Sequence, residues 1–276
     1  MEELINLVGL RIPDGISITP TTKEERRARR EKALNDMVGE LGYYDCPKCL
    51  NKGWIGTILE NGSILTTDCE CMVKRRSLQQ IEKSGLSELL KIYTFDTYEA
   101  DCPATESIKA EAQQYVDDAK GWFFIGGKPG SGKTHICTAI CAVLLEQGRE
   151  TRYVLWRETA PQLKAYVNER EYYEQIMHEL KTVEVLYIDD FLKGSITDAD
   201  INIAFELLNS RYNNPDKLTI ISSEKSVGEI LDIDEALGSR IYERSPHRLR
   251  TPDANRRLEI PSEINASAGE INASRE

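Results

Sequence analysis

The chain has no apolar run long enough to cross a bilayer. Runs such as Val-Leu-Tyr-Ile before Asp189 fall far short of the ~20 residues that a membrane helix needs. Residues 1–10 also lack the basic start and small-residue cleavage site of a secretory leader, so a cytoplasmic protein without a membrane partner is expected. Excess positive charge is missing too. With 35 Lys+Arg against 46 Asp+Glu the net charge is −11, which excludes coating of nucleic acid by bulk charge and leaves only local contacts. Three histidines, His135, His178 and His247, form no ligand cluster. What remains is ordinary: 276 residues, 40% hydrophobic and 29% charged, with 18 Gly and 10 Pro. That composition excludes wholesale disorder, collagen and disulfide-dense miniproteins, and the length allows one large domain or two modest ones.

The N-terminal part carries two signals. Thr22 and Glu25 have capping-box spacing, which predicts a helix running through Ala33, Leu34 and Met37 until Gly39 and Gly42 stop it. Its basic run, Lys23 to Lys32, is one of two that survive the negative average; the other spans Arg240 to Arg257. Four of seven cysteines then fall close together, as Cys46-x2-Cys49, 19 residues, and Cys69-x-Cys71. Four thiolates are the right number for tetrahedral Zn²⁺, and they leave no open position, so such a site is structural. The one-residue gap of the second pair is tight. A hairpin compensates: the β-forming runs Trp54–Leu59 and Ser63–Thr67 are joined by Asn61-Gly62, which brings the pairs together as in a zinc ribbon. Cys102, Cys137 and Cys141 read as connector and packing residues.

Further on, helix and strand alternate. Strands are expected at Trp122–Ile125, Tyr153–Trp156, Val183–Ile188, Leu218–Ser222 and His247–Arg250, with helical stretches at Val73–Leu90, Thr105–Ala119, Pro161–Leu180, Ala199–Arg211 and Ser226–Tyr242. This order argues for an α/β domain with a five-stranded, mainly parallel sheet. Between the first strand and its helix lies Gly127-Lys-Pro129-Gly130-Ser131-Gly132-Lys133-Thr134, a complete G-x-x-x-x-G-K-[ST] phosphate loop. Glycines let backbone N–H groups turn toward phosphate oxygens, Lys133 adds a point charge on the β/γ-phosphates, and the Thr134 hydroxyl can ligand Mg²⁺. His135 follows and is a candidate near the phosphates. Asp189 and Asp190 end a second apolar strand, where Asp189 would complete the Mg²⁺ shell and Asp190 would orient the attacking water. The exit of the Leu218 strand, Ser222-Ser223-Glu224, is expected to face the γ-phosphate.

These residues together resemble the DnaC/DnaI-type helicase loaders of the AAA+ ATPases, the IstB/DnaC-type branch that includes the ATPase subunits of some transposition systems. The resemblance rests on GKPGSGKTH, on LYIDD followed by a helix ending LLNSRYNN, on TIISSE and on GSRIYER. It implies an AAA+ ATPase domain over residues 93–258 and a helicase-binding role for the helix and four-cysteine zinc module in 1–92; the tail, 259–276, small and acidic with Glu-Ile-Asn-Ala-Ser repeated at 263 and 270, is expected to be disordered. The resemblance also implies ATP hydrolysis with Mg²⁺, assembly into a ring or helical oligomer, and loading of a hexameric replicative helicase onto single-stranded DNA. The arginine finger falls on Arg244 or Arg240, with Arg244 favoured, and the second-sensor arginine on Arg257. The usual Asn of the family's TSN strand end is replaced here by Glu224. A transposition-type ATPase that recruits a transposase is the alternative; a small-molecule kinase is disfavoured because nothing after Asp190 supplies a lid and an acceptor site.

Overall fold

The computed structural model describes residues 22–83, 86–253 and 255–256. The chain divides into two compact units after Cys69.

In the first unit, α1 (Lys23–Asn35) opens with the expected capping box, in which Thr22 N–H donates to Glu25 Oε2 at 2.8 Å and Glu25 N–H to Thr22 Oγ1 at 3.1 Å. The helix stops at Asn35, two residues before Met37, because Asn35 turns its side chain to the hairpin. Its amide donates to Gly56 O (2.7 Å) and accepts from Gly56 N–H (2.9 Å). Lys52 Nζ meanwhile caps the helix end through Asn35 O and Met37 O. The hairpin is β1 (Trp54–Ile58) antiparallel to β2 (Ile64–Asp68), in register from Trp54↔Asp68 to Ile58↔Ile64. Gly56 leaves room for Leu34: a Cβ there would lie 2.4 Å from Leu34 Cδ2, so the leucine would have to turn aside.

The second unit begins with α2 (Cys71–Lys83) and α3 (Ser87–Ile92), where the sequence predicts one helical stretch, and so includes helices that the sequence reading groups with the cysteine segment. Then follow α4 (Pro103–Asp118), β3 (Trp122–Gly126), α5 (Lys133–Glu146), β4 (Thr151–Leu155), α6 (Trp156–Ala165), α7 (Arg170–Thr182), β5 (Val185–Phe191), α8 (Asp198–Tyr212), β6 (Leu218–Ser223), α9 (Val227–Ile233), α10 (Glu235–Arg244) and β7 (His247–Arg250). The stretch expected as one helix over Pro161–Leu180 breaks at 166–169. The stretch over Ser226–Tyr242 breaks at Asp234, whose extended backbone and carboxylate cap α10 through Leu237 N–H at 2.7 Å.

The five strands are all parallel in the order β4-β5-β6-β3-β7. Alternate residues feed two cores. Trp122, Phe124, Leu186, Ile188 and Ile221 pack against Leu163, Leu180, Leu207 and Ile241 on one face. Phe123, Ile125, Val185, Tyr187 and Ile220 pack against Tyr115, Ile136, Ile140 and Leu144 on the other. Because helices cover both faces, the strands read as continuous apolar runs. Parallel strands also place all carboxyl ends along one edge, where a ligand crevice forms. At the opposite ends of β5 and β6 lies Arg211, fully buried. Its guanidinium donates to the carbonyls of Leu180, Val183 and Leu218 and to Thr219 Oγ1, at 2.6–2.9 Å. The arginine in the LLNSRYNN run is thus a structural clamp joining α7, α8 and the sheet.

Candidate functional site: a nucleotide crevice and a four-cysteine cluster

The phosphate loop leaves β3 with three glycines at positive φ, Gly127 (145°), Gly130 (76°) and Gly132 (91°), and α5 starts at Lys133. That backbone turns amide groups toward a common point ahead of the helix N-terminus. Lys133 is buried, and its Nζ donates to Gly127 O and Lys128 O, both at 2.7 Å. Burial pushes the ammonium pKa down, against the opposing pull of Glu224, Asp190 and Asp189. The loop is tied to β7: Thr251 N–H donates to Gly126 O at 2.9 Å, and Thr251 Oγ1 to Ser131 Oγ at 2.7 Å.

The two acids lie within β5, not after it. Ile188 pairs with Ile221 and Phe191 with Ser223, so Asp189 and Asp190 together oppose Ser222. This bulge turns the two carboxylates to different environments. Asp189 is buried; Ser222 Oγ and Tyr153 OH both donate to it, and Thr134 Oγ1 stands 3.3 and 3.4 Å from its two oxygens. The Thr134 to Asp189 separation suits Mg²⁺, since neighbouring octahedral ligands at ~2.1 Å from the ion lie about 3 Å apart. Asp190, at φ 53°, faces the crevice instead. The polar exit of β6 therefore splits: Ser222 and Ser223 point inward, to Asp189 and to Phe191 O, and Glu224 faces the crevice.

A cavity of about 480 Å³ opens over the loop. Of the residues singled out in the sequence, Pro129, Gly130, Ser131, Gly132, Lys133, Thr134, His135, Asp190 and Glu224 line it, and Tyr93, Thr97, Glu99, Arg157, Lys193 and Arg256 complete it. His135 belongs to the wall. Its ring stacks on Tyr93 (centroids 4.5 Å apart, 16° between planes), and its Nε2 lies 3.0 Å from Thr94 O and 3.2 Å from Thr97 Oγ1. Burial lowers the His135 pKa, which favours the neutral ring. Arg257 lies outside the described residues. Its neighbour Arg256 lines the crevice, as does Arg157; Arg256 N–H donates to Gly130 O at 3.1 Å, and its guanidinium donates to Glu99 O and Asp101. Sequence reasoning missed Arg157, Lys193 and Arg256. The available signal was weak: each is a cation two to six residues past a strand end, and Arg256 lies within the basic run from Arg240 to Arg257.

Arg240 and Arg244 do not line this cavity. Arg240 lies over the Phe205 ring at 4.6 Å and donates to Asn209 Oδ1 and Ala236 O. Arg244 lies 6.0 Å from the Tyr212 centroid, and its buried Nε and Nη2 have no hydrogen-bond partner among the described residues.

The sulfurs of Cys46, Cys49, Cys69 and Cys71 all lie within 4.8 Å of one another, and all four residues are buried. Cys46 Sγ and Cys69 Sγ are 3.8 Å apart. A tetrahedron with ~2.3 Å zinc–sulfur bonds has an edge of about 3.8 Å, so the donors fit that ion. Leu50 and Asn51 adopt left-handed φ just after Cys49, Asn51 Oδ1 accepts from Cys46 N–H, and Gly53 N–H points to Cys49 Sγ at 3.3 Å.

A parallel α/β sheet with a phosphate loop on one strand and a bulged pair of acids on another defines a P-loop nucleotide-binding domain, here with the five-stranded fold of the AAA+ ATPases. The chain belongs to the family of IstB-like ATP binding proteins, whose model matches residues 62–254, and it is an ATPase. It is 29% identical over 237 residues to the phage-like element PBSX protein XkdC of Bacillus subtilis (strain 168), covering 80% of this chain and 87% of that one. It is 24% identical over 190 residues to the replicative helicase loader DnaC of Escherichia coli (strain K12), covering 67% and 76%. In fold it is similar to a crystal structure of the DnaC helicase loader, with TM-score 0.52 and 23% identity, over 58% of this chain and 97% of that one.

Proposed function

We propose that this chain is a cytoplasmic ATP-driven loader that places a hexameric replicative helicase on single-stranded DNA. The observation that carries this reading is the joint similarity to DnaC loaders, in sequence over 67% of this chain and in fold over 58% of it. Among the described residues no helix is long and apolar enough to cross a membrane.

In this reading the backbone from Gly127 to Thr134 binds the phosphates of ATP and Lys133 exchanges its loop carbonyls for the β- and γ-phosphates. Thr134 and Asp189 hold Mg²⁺, which screens phosphate charge. Asp190 orients and deprotonates the attacking water. Arg244, or Arg240, acts from a neighbouring subunit, which accounts for its position away from its own crevice and couples hydrolysis to ring or helical assembly. The second-sensor arginine is Arg257, whose sequence neighbour Arg256 lines the crevice. Cys46, Cys49, Cys69 and Cys71 hold one structural Zn²⁺, and this N-terminal module grips the helicase. A structural zinc unit beside a basic helix suits docking better than catalysis.

The IstB-like family match keeps a second reading, a transposition-type ATPase that recruits a transposase. Co-purification decides between them. Retention of a replicative helicase, with hydrolysis raised by single-stranded DNA, is the expected result. Retention of a transposase and stimulation by duplex DNA would overturn it.

A further inference from the structure

Two of the crevice residues come from the ends of different strands and belong to no contiguous motif. Lys193 Nζ lies 2.8 Å from Glu224 Oε1 and 3.2 Å from Asp190 Oδ2, so one ammonium is shared by two carboxylates. The three side chains are 32%, 30% and 22% exposed, which leaves them open to a ligand but poorly screened by water. Lys193 is folded back to them by a tight turn. Asp190 and Leu192 both take left-handed φ, 53° and 54°, and Lys193 N–H donates to Asp190 O at 3.1 Å.

The charge balance needs that turn. Three carboxylates, Asp189, Asp190 and Glu224, stand near the place of a strongly anionic triphosphate. Asp189 is held by hydroxyls and is set beside Thr134 for a cation. Glu224 holds no such place and, left bare, would repel a γ-phosphate. A γ-phosphate feels this repulsion; the two phosphates of ADP, held deeper in the loop, feel it far less.

We propose that Lys193 and Glu224 form a charge-compensated positioning pair. Lys193 neutralises the β6 strand end so that it can face the γ-phosphate, and it fixes Asp190 against the attacking water. This inference rests on the reading of Asp190 as the water-orienting acid. Lys193 therefore serves in two ways: it sets the preference for triphosphate over diphosphate through Glu224, and it sets the hydrolytic rate through Asp190.

The test uses the full chain, calorimetric binding of ADP and of a non-hydrolysable ATP analogue with Mg²⁺, and phosphate release. Lys193→Met should weaken the ATP analogue about tenfold, ~1.4 kcal/mol, and ADP by less than about twofold. In Lys193→Met/Glu224→Gln the analogue should return to within about threefold of the parent. The hydrolytic rate of the double variant should stay low, because Asp190 is still unclamped. If Lys193→Met does not fold, Lys193→Arg and Glu224→Gln carry the same comparison: Arg should keep the ATP preference, and Gln should make it insensitive to the residue at 193. Equal losses for both nucleotides, or a double variant as weak as Lys193→Met, would overturn the pair. Separately, a parental hydrolytic rate in Asp190→Asn would remove the reading of Asp190 beneath it, whatever the binding results.

Discussion

Replacing Gly127 by alanine should damage the nucleotide unit more than any other one-methyl change in the phosphate loop. At φ 145° the residue sits where L side chains are strained, and an added Cβ would lie 2.0 Å from Thr251 Oγ1 and 3.2 Å from Thr251 Cβ. Thr251 cannot step aside, because it is buried and its hydroxyl holds Ser131 while its N–H holds Gly126 O. Backbone strain contributes about 1–3 kcal/mol and forced overpacking a similar amount, so the total is about 2–6 kcal/mol. For a unit of this size that corresponds to a fall in Tm of roughly 5–20 °C. Nucleotide affinity should fall with it, because the Ser131 end of the loop is displaced. Adding Thr251→Ala removes the 2.0 Å overlap at a cost of about 1 kcal/mol for the lost hydrogen bond, so the double variant should melt above Gly127→Ala. Thermal melts and nucleotide titration of the three variants decide the matter. The reasoning fails if Gly127→Ala melts and binds ATP as the parent does, or if Thr251→Ala brings no recovery.

Four further outcomes are expected. Arg211→Met leaves several buried carbonyls unpaired and should cost about 3–5 kcal/mol in urea unfolding, with Arg211→Lys recovering only part, since one ammonium cannot reach the partners of a guanidinium. Lys133→Ala should abolish or severely weaken ATP binding, whereas Asp190→Asn should bind ATP and hydrolyse it slowly, measured by titration and phosphate release. Metal analysis should find one zinc per chain, lost in Cys46→Ser together with the fold of the hairpin unit but not nucleotide binding; four reactive thiols and no zinc in the parent would refute it. Arg244→Ala should keep ATP affinity yet lose hydrolysis, and mixing it with Lys133→Ala should restore some activity if the arginine acts between subunits. No recovery in proven mixed assemblies would move the finger to Arg240.

Contiguous chemistry was legible in the sequence. The phosphate loop, the four cysteines around Asn61-Gly62, the Thr22 capping box and the apolar run into Asp189 are all local patterns, and local backbone preference is enough to specify them. The parallel direction of the strands followed too, since helix–strand alternation favours crossover connections. Helix breaks at 166–169 and at Asp234 are not legible in the sequence, because no proline or glycine marks either position and helical residues flank both.

Tertiary structure decided which charges face one another. Arg211 and Arg256 look alike in sequence, yet one is a buried clamp at the far end of the sheet and the other lines the crevice. Lys193 and Glu224 are thirty-one positions apart and meet at 2.8 Å. Such meetings depend on the β5 bulge and on β6 lying next to β5, long-range pairings that no window of neighbouring residues encodes. A sequence determines by itself what its backbone can do locally. Only the closed sheet, by bringing separate strand ends to one edge and excluding water there, sets which side chains feel each other's charge.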